Sequence, residues 1–382
     1  MTKIRRHLNT IGIVGFGLVL LAFGLVDVVR PMGVRFSDLT GRVVTMDTMI
    51  RIGILSIVVV GLNLLMGYAG QVSLGQAGFY ALGAYASGIL STLAVRHKIL
   101  IGVSDTWWWP WLAMVAGMAL TGGFAYLVGR PILRLRGNYL AMATLGLGII
   151  IYILGGQFSD ITGGYDGLTG IPRLRIGGFV LWPMNRYYFV VWGAAIAAIV
   201  VALNIVHSRT GRALRAVHSS EVAASASGVD IERCKVQALV LSAVFSSLAG
   251  SLYAHFQSAV SPSPFSFRAS VELVVMATIG GLSSIWGAPF GVGILFILRD
   301  LIRSRMEDVL HLRGGEYELI IYGVILVVIM IFMPGGLTSG TVDLIRGLRE
   351  RRAARRDAAP PHSPPLRGEE AVSKRGKGRT SG

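Results

Sequence analysis

The sequence has very little cysteine and very little charge. Cys234 is its single cysteine, which excludes an internal disulfide framework and a cysteine-rich metal site. Its seven histidines show no H-E-x-x-H or other paired spacing, so no zinc site is predicted. Charged residues make up 15% of the chain and hydrophobic residues 53%, whereas soluble domains carry about 25% charged residues. This composition is typical of a membrane protein.

The sequence also lacks the motifs of an enzyme or of a motor. No G-x-x-x-x-G-K-[ST] phosphate-binding loop is present. Ser73 lies in G-x-x-S-x-G, which differs from the G-x-S-x-G nucleophile elbow. No carboxylate or histidine lies in the middle of an apolar stretch, where proton-coupled carriers keep such groups. We therefore predict a non-enzymatic transport protein without a cofactor, which draws its energy from another polypeptide.

The net charge of +16 is concentrated partly at the carboxyl terminus. From Arg346 onward there are 11 Lys and Arg against 4 Asp and Glu, with almost no apolar residues. Such a segment cannot form a core, so residues 341–382 are predicted to be a disordered cytoplasmic tail attracted to anionic membrane lipid. Residues 1–340 form the predicted transmembrane domain. Basic flanks of membrane spans explain the charge better than nucleic-acid binding does.

Apolar stretches long enough to cross a bilayer recur along the chain, which predicts an all-α polytopic membrane protein. They cover 11–29, 48–66, 72–94, 107–128, 138–156, 187–206, 236–258 and 317–333. The stretch 271–299 is interrupted by glycines and Pro289, which favours two short helices or a re-entrant hairpin. The prediction is thus about 8–10 transmembrane helices. The distribution of arginine and lysine places both termini in the cytoplasm.

The polar stretch 208–235 separates two apolar runs and contains five bases, which predicts a cytoplasmic loop. Its residue pattern is compatible with a helix and includes several small residues, which allows two interpretations. One is a helix that docks into the groove of a cytoplasmic partner, with Glu221 available to a basic residue of that partner. The other is an amphipathic helix that lies on the membrane surface.

Four stretches of the chain resemble motifs of the branched-chain amino-acid permease family of ABC importers (LivM type). The longest is the run G-Y-A-G-Q-V-S-L-G-Q-A-G-F-Y from Gly67 to Tyr80. The polar loop carries G-R-A-L-R-A-V followed by E-x-A-A-x3-G, which resembles the E-A-A-x3-G coupling motif with one extra residue after the glutamate. Residues 162–172 resemble the T-G-G-x-x-G-L-x-G-I-P loop, and residues 333–337 resemble the terminal P-x-G-L.

This resemblance implies a function and a set of partners. The partners would be a homologous permease in a heterodimer, two cytoplasmic ABC ATPase subunits and a periplasmic solute-binding protein, and the location would be the bacterial inner membrane. It also implies alternating access that is driven by the ATPase subunits. The loop on which those subunits act would include Gly211, Arg212, Arg215, Glu221, Ala223, Ala224 and Gly228.

The solute and its path are less specified by the sequence. The resemblance implies branched-chain amino acids, but relatives that carry urea, short amides or other small solutes share these motifs, and a stand-alone secondary carrier is the alternative from another class. Polar residues near apolar spans are candidates for the path, namely Asn63, Gln71, Ser73, Gln76 and Thr144. Residues 66–83 and 276–293 share four identities at one offset of 210, which suits two related halves.

Overall fold

The computed structural model describes residues 15–17, 20, 45–96, 107–135, 137–177, 179–181, 184–309, 323–324 and 327. The longer helices are α1 (Met46–Leu62, continued by the π-helical turn Asn63–Tyr68), α2 (Gln76–Arg96), α3 (Trp109–Ile132), α4 (Asn138–Gln157), α6 (Met184–His207), α9 (Ile231–Gln257), α10 (Phe267–Gly280) and α11 (Gly287–Val309). Shorter elements are α5 (Ser159–Thr162), α7 (Arg209–Ser219), α8 (Glu221–Ala226), the 3-10 turn Ser263–Phe265, and the strands β1 (Leu168–Thr169), β2 (Arg175–Ile176), β3 (Phe179–Val180) and β4 (Ala259–Val260).

This architecture confirms the all-α polytopic prediction. Within the described residues, five helices are long and apolar enough to cross a membrane, namely Met46–Tyr68, Trp109–Ile132, Asn138–Gln157, Met184–His207 and Ile231–Gln257. Each coincides with a predicted span. The predicted spans 11–29 and 317–333 lie almost entirely outside the described residues, as do the P-x-G-L motif and the tail.

Helix α1, with its π-helical continuation, is the most buried of the five candidate spans. It packs against α6, α9, α10 and α11, and the side chains of Ile50, Ile54, Ile57 and Leu62 are fully or almost fully buried. Helices α3 and α4, in contrast, keep large apolar side chains such as Leu127 and Met142 exposed. These exposed faces suit lipid or another membrane subunit, because hydrocarbon accepts apolar side chains without cost.

Small residues allow α2 and α9 to approach closely. A Cβ on Gly83 would overlap the backbone of Ser247, and one on Gly250 would overlap the carbonyl of Tyr80. Small residues at such crossings are typical of helix packing in membranes, where close backbone contact replaces the hydrophobic driving force. Gly83 and Gly250 therefore contribute to the packing of α2 against α9.

The interrupted stretch 271–299 forms two helices rather than one continuous span. Helix α10 ends at Gly280, the chain turns through residues 281–286, and α11 begins at Gly287. Gly281 adopts a left-handed φ of 95°, which favours glycine. The prediction of a broken segment is confirmed, although α11 extends to Val309 and is longer than expected.

The loop between α4 and α6 contains turns, α5 and the strands β1, β2 and β3, and it also pairs with β4, which follows α9. Strand β1 pairs with β4, and β2 pairs with β3. His255, near the end of α9, is buried against this loop. Its Nδ1 donates to the Pro172 carbonyl at 2.7 Å, and the Ser87 hydroxyl lies 2.9 Å from its Nε2. His255 therefore connects α2, α9 and the loop.

Candidate functional site

Polar residues define the start of each helix in the stretch 208–235. The Ser208 hydroxyl accepts from the Gly211 N–H at 3.4 Å, the Ser220 hydroxyl from the Ala223 N–H at 3.3 Å, and Asp230 Oδ1 from the Arg233 N–H at 3.0 Å. These are N-cap bonds, which satisfy backbone donors that a helix start leaves without a partner. The loop is thus two short, separately capped helices, α7 and α8, ahead of α9.

Helix α7 presents one apolar face and one basic face. Gly211, Leu214 and Val217 recur every three residues and are buried, whereas Arg212 and Arg215 are exposed. This three-residue spacing places each set on one side of the helix. The apolar face fixes α7 to the bundle, so the basic face is available to a partner or to lipid headgroups.

Helix α8 is held on the bundle by an ion pair. Glu221 Oε1 lies 2.6 Å from Lys235 Nζ in the first turns of α9, and the Lys235 side chain is 9% exposed. Glu221 is therefore engaged within the chain, which weakens the idea that it is offered to a basic partner. Within α8, Ala224 is buried, whereas Val222 and Ala223 are exposed, with Val222 at 82%.

Gly228 ends this segment in the left-handed region, with a φ of 78°. Its N–H bonds to the Ser225 carbonyl at 2.9 Å, and the N–H of Val229 bonds to the Ala224 carbonyl at 3.0 Å. This arrangement is the usual glycine-terminated helix end. No atom lies within 4 Å of an added Cβ at Gly228, so the backbone conformation, and not space, requires glycine there.

The end of α7 contacts the motif Gly67–Tyr80 in the first half of the chain. His218 Nδ1 donates to the Gly67 carbonyl at 3.1 Å. A Cβ added to Gly70 would lie only 2.8 Å from Cδ2 of the His218 imidazole. Gly70 itself has a left-handed φ of 68°. The sequence analysis did not single out His218, because nothing in the residues adjacent to it in the sequence shows that residue 218 lies near residue 67.

Two interrupted segments meet at the same place. The Asn63 amide donates to the Ser284 carbonyl at 2.9 Å, and the Tyr68 hydroxyl donates to the Ser283 carbonyl at 2.8 Å. A Cβ on Gly67 would overlap the carbonyl of Leu282. Helix α7, the break after α1 and the break between α10 and α11 therefore form one contiguous chain of contacts.

The five polar residues predicted for the path are all buried. Gln76 donates to the hydroxyls of Ser242 and Ser246 at 2.7 and 2.5 Å, and the Thr144 hydroxyl accepts from the Leu74 N–H at 3.2 Å and donates to the Ala141 carbonyl at 3.0 Å. Together with Asn63, these residues fasten neighbouring segments to one another. The side chains of Gln71 and Ser73 have no hydrogen-bond partner among the described residues.

Comparison with known proteins identifies one family. Residues 44–330 match the family model described as "Branched-chain amino acid transport system / permease component". The high-affinity branched-chain amino acid transport system permease protein LivM of Escherichia coli (strain K12) is 33% identical over 301 residues. That alignment covers 72% of this chain and 66% of the relative, so the chain spans about two thirds of its length.

More distant relatives include a second type of permease. The corresponding permease protein LivH of Escherichia coli (strain K12) is 22% identical over 290 residues, which cover 74% of this chain and 90% of LivH. Among solved structures, PsaBC from Streptococcus pneumoniae in complex with Fab shows a weak likeness. Its TM-score is 0.34 at 13% identity, over 74% of this chain and 89% of that one.

Proposed function

The chain belongs to the family of permease components of branched-chain amino acid transport systems, and we propose that it is the LivM-type subunit of an ABC importer. It is a transport subunit and not an enzyme. As both LivM and LivH resemble it, the second permease of the transporter would be a homologous protein. Two cytoplasmic ATPase subunits and an external solute-binding protein complete the proposed assembly, and the solute is a branched-chain amino acid.

The contact chain from α7 to the two breaks is the observation that supports a coupling role. Helix α8 offers an exposed apolar residue, Val222, to a partner, and α7 offers exposed arginines beside it. A force on these helices would pass through His218 to Gly67 and then to Leu282 and Ser283. Interrupted helices form the substrate sites of many membrane transporters, so these contacts would be a direct route from an ATPase to the path.

The proposed orientation follows from this role. The ATPase subunits require α7 and α8 to lie in the cytoplasm, and the distribution of arginine and lysine favours the same side for both chain termini. The first residues of α1 and the last residues of α9 then face the outside of a bacterial inner membrane. The loop between α4 and α6, which packs on the end of α9, also lies outside and is placed to meet a solute-binding protein.

Within the path, Gln71 and Ser73 remain the strongest of the five polar candidates. Their buried polar atoms have no partner among the described residues, and an unsatisfied buried polar group costs about 1–3 kcal/mol. A conformational change that gave them water or solute would recover part of that cost. Asn63, Gln76 and Thr144 would instead hold the moving segments together.

The coupling role is tested at Val222. We expect Val222→Asp to lower both ATP-dependent uptake of leucine and leucine-stimulated ATP hydrolysis in the reconstituted transporter, because a carboxylate replaces the exposed apolar contact. Val222→Leu keeps that contact and serves as the matched control. Gly228 is a poor site for this test, because any side chain there strains the backbone whether or not a partner docks.

Two results would overturn the proposal. One is uptake by the purified chain in liposomes that contain no ATPase, which would identify a stand-alone carrier. The other is unchanged coupling in Val222→Asp together with labelling of α8 from the external side of intact cells. Uptake of urea or short amides in preference to leucine would retain the coupling role and change the solute.

A further inference from the structure

A cavity of about 380 Å³ opens between α1, α2, α9, α10 and α11. It lies at the end of the bundle opposite α7, because Arg51 on its wall and Gly67 beside His218 are 16 residues apart on α1, or about 24 Å. Its volume is within the range of about 300–1,000 Å³ that is typical of small-molecule sites. Apolar side chains cover much of its wall, including Ile54, Leu55, Leu273, Met276 and Phe296.

Charged side chains of both signs share this cavity. Arg51, Arg268 and Arg299 line it together with Glu272. Arg268 Nε lies 3.0 Å from Glu272 Oε1, with the two side chains 52% and 22% exposed. Arg51 also lines the cavity. Its guanidinium Nε lies 2.6 Å from the Asp47 carboxylate, and its side chain is 35% exposed.

An aromatic wall completes the cavity next to these charges. Tyr80 and Tyr253 both line it, with ring centroids 5.7 Å apart. Aromatic faces attract ammonium groups, particularly in sites that exclude water. The cavity thus combines donors for a carboxylate, an acceptor and aromatic faces for an ammonium group, and an apolar surface.

We propose that this cavity binds the solute as an α-amino acid zwitterion with an aliphatic side chain, an inference that rests on the proposed transport function. The arginines donate to the carboxylate of the amino acid, and Glu272 accepts from its ammonium group. The two charges of the ligand replace the contact between Arg268 and Glu272. The branched side chain lies against Leu273, Met276 and their apolar neighbours.

Stability alone does not account for this arrangement. Solvent-exposed ion pairs contribute about 0–1 kcal/mol each, which is little reason to gather three arginines around one cavity. In the proposed orientation the cavity also faces outward, where membrane proteins carry few Lys and Arg near their spans. Residues that run against this bias are expected to have a use, and recognition of a carboxylate is the use that bidentate guanidinium groups suit best.

The first experiment measures ligand protection of a cysteine in the assembled transporter. Cys234 is the single cysteine of this chain, so Cys234→Ser gives a cysteine-free chain into which Ala269→Cys is introduced on the cavity wall. Labelling is measured on this chain. We expect leucine to slow maleimide labelling of that cysteine. 4-Methylpentanoate lacks the ammonium group and 3-methylbutylamine lacks the carboxylate, so both should protect about tenfold more weakly or worse. Trp107→Cys, at an exposed position just before α3 and outside the loop between α4 and α6, is the control and should be unaffected.

The second experiment assigns the ammonium contact. Glu272→Gln keeps the shape of the side chain and removes its charge, so the preference for leucine over 4-methylpentanoate in the protection assay should fall about tenfold or more. Absence of protection in a transporter that imports leucine overturns this site and leaves the proposed function intact. Protection without ATP-dependent import supports the site and overturns the importer. An unchanged preference in Glu272→Gln refutes the role given to that carboxylate.

Discussion

The contact between Gly67 and Leu282 gives the sharpest test of how the two breaks are joined. A Cβ at residue 67 would overlap the backbone carbonyl of Leu282, and no change of rotamer can relieve a clash with backbone. Gly67→Ala should therefore force the two segments apart. Overpacking of this kind costs about 1–3 kcal/mol. We expect a less stable protein and a loss of coupling between ATP hydrolysis and uptake.

Gly146→Ala is the matched control, because it makes the same chemical change in the interior of helix α4. An added Cβ there meets no atom within 4 Å, and replacing glycine by alanine inside a helix gains about 0.5–1 kcal/mol. The two variants should therefore differ by about 1.5–4 kcal/mol in stability. Thermal unfolding in detergent and uptake in proteoliposomes measure the difference. If Gly67→Ala melts and transports like Gly146→Ala, the breaks are not in contact.

Three further predictions address other contacts in the described bundle. Glu221→Gln should lower the melting temperature more than Lys235→Met does, because the first leaves a lysine that is 9% exposed without its partner, whereas the second leaves a glutamate that is 40% exposed. His218→Ala should preserve folding and weaken the coupling of ATP hydrolysis to uptake, and equal coupling in both proteins would remove His218 from the route. Gln76→Leu should destabilise α2 against α9, by about 0.6 kcal/mol for each interhelical bond lost. In the Ser242→Ala, Ser246→Ala double variant only the bond to the Ser242 carbonyl remains, so Gln76→Leu should lower the melting temperature less there, and an equal drop in both backgrounds would show that the two hydroxyl bonds do not contribute.

Local signals in the sequence predicted most of the helical architecture. Long apolar stretches gave five spans whose bounds match the structure within a few residues, since a bilayer sets helix length directly. The N-caps Ser208, Ser220 and Asp230 are also local signals, because each side chain accepts from a backbone N–H three residues later, but the sequence analysis did not use them. The break in 271–299 was readable because glycine clusters and Pro289 interrupt a helix by their own backbone properties.

Contacts between distant segments could not be predicted in this way. One of the two interpretations of the loop offered Glu221 to a basic residue of a partner, whereas the structure pairs Glu221 with Lys235 of the same chain. One sequence cannot show which charges will face one another. The role of His218 depends on residues about 150 positions earlier, and the cavity gathers charged residues from α1, α10 and α11. Arg51 and Glu272 were visible near span ends, but only the packing of the helices shows that they share a cavity.

The weak internal echo in the sequence has a structural counterpart. In both halves a helix stops, a glycine adopts a left-handed φ, and the next helix begins six residues later: Gly70 precedes Gln76, and Gly281 precedes Gly287. The two glycines, and the two helix starts that follow them, are thus 211 residues apart, whereas the four identical residues in the sequence are 210 residues apart. The hairpin of α1 and α2 and the hairpin of α10 and α11 both start at the cavity, with Arg51 and Arg268. Their turns contact each other at the opposite end of the bundle. A displacement at the turns would therefore move both walls of the cavity, and this would connect the proposed coupling helices to the proposed amino acid site.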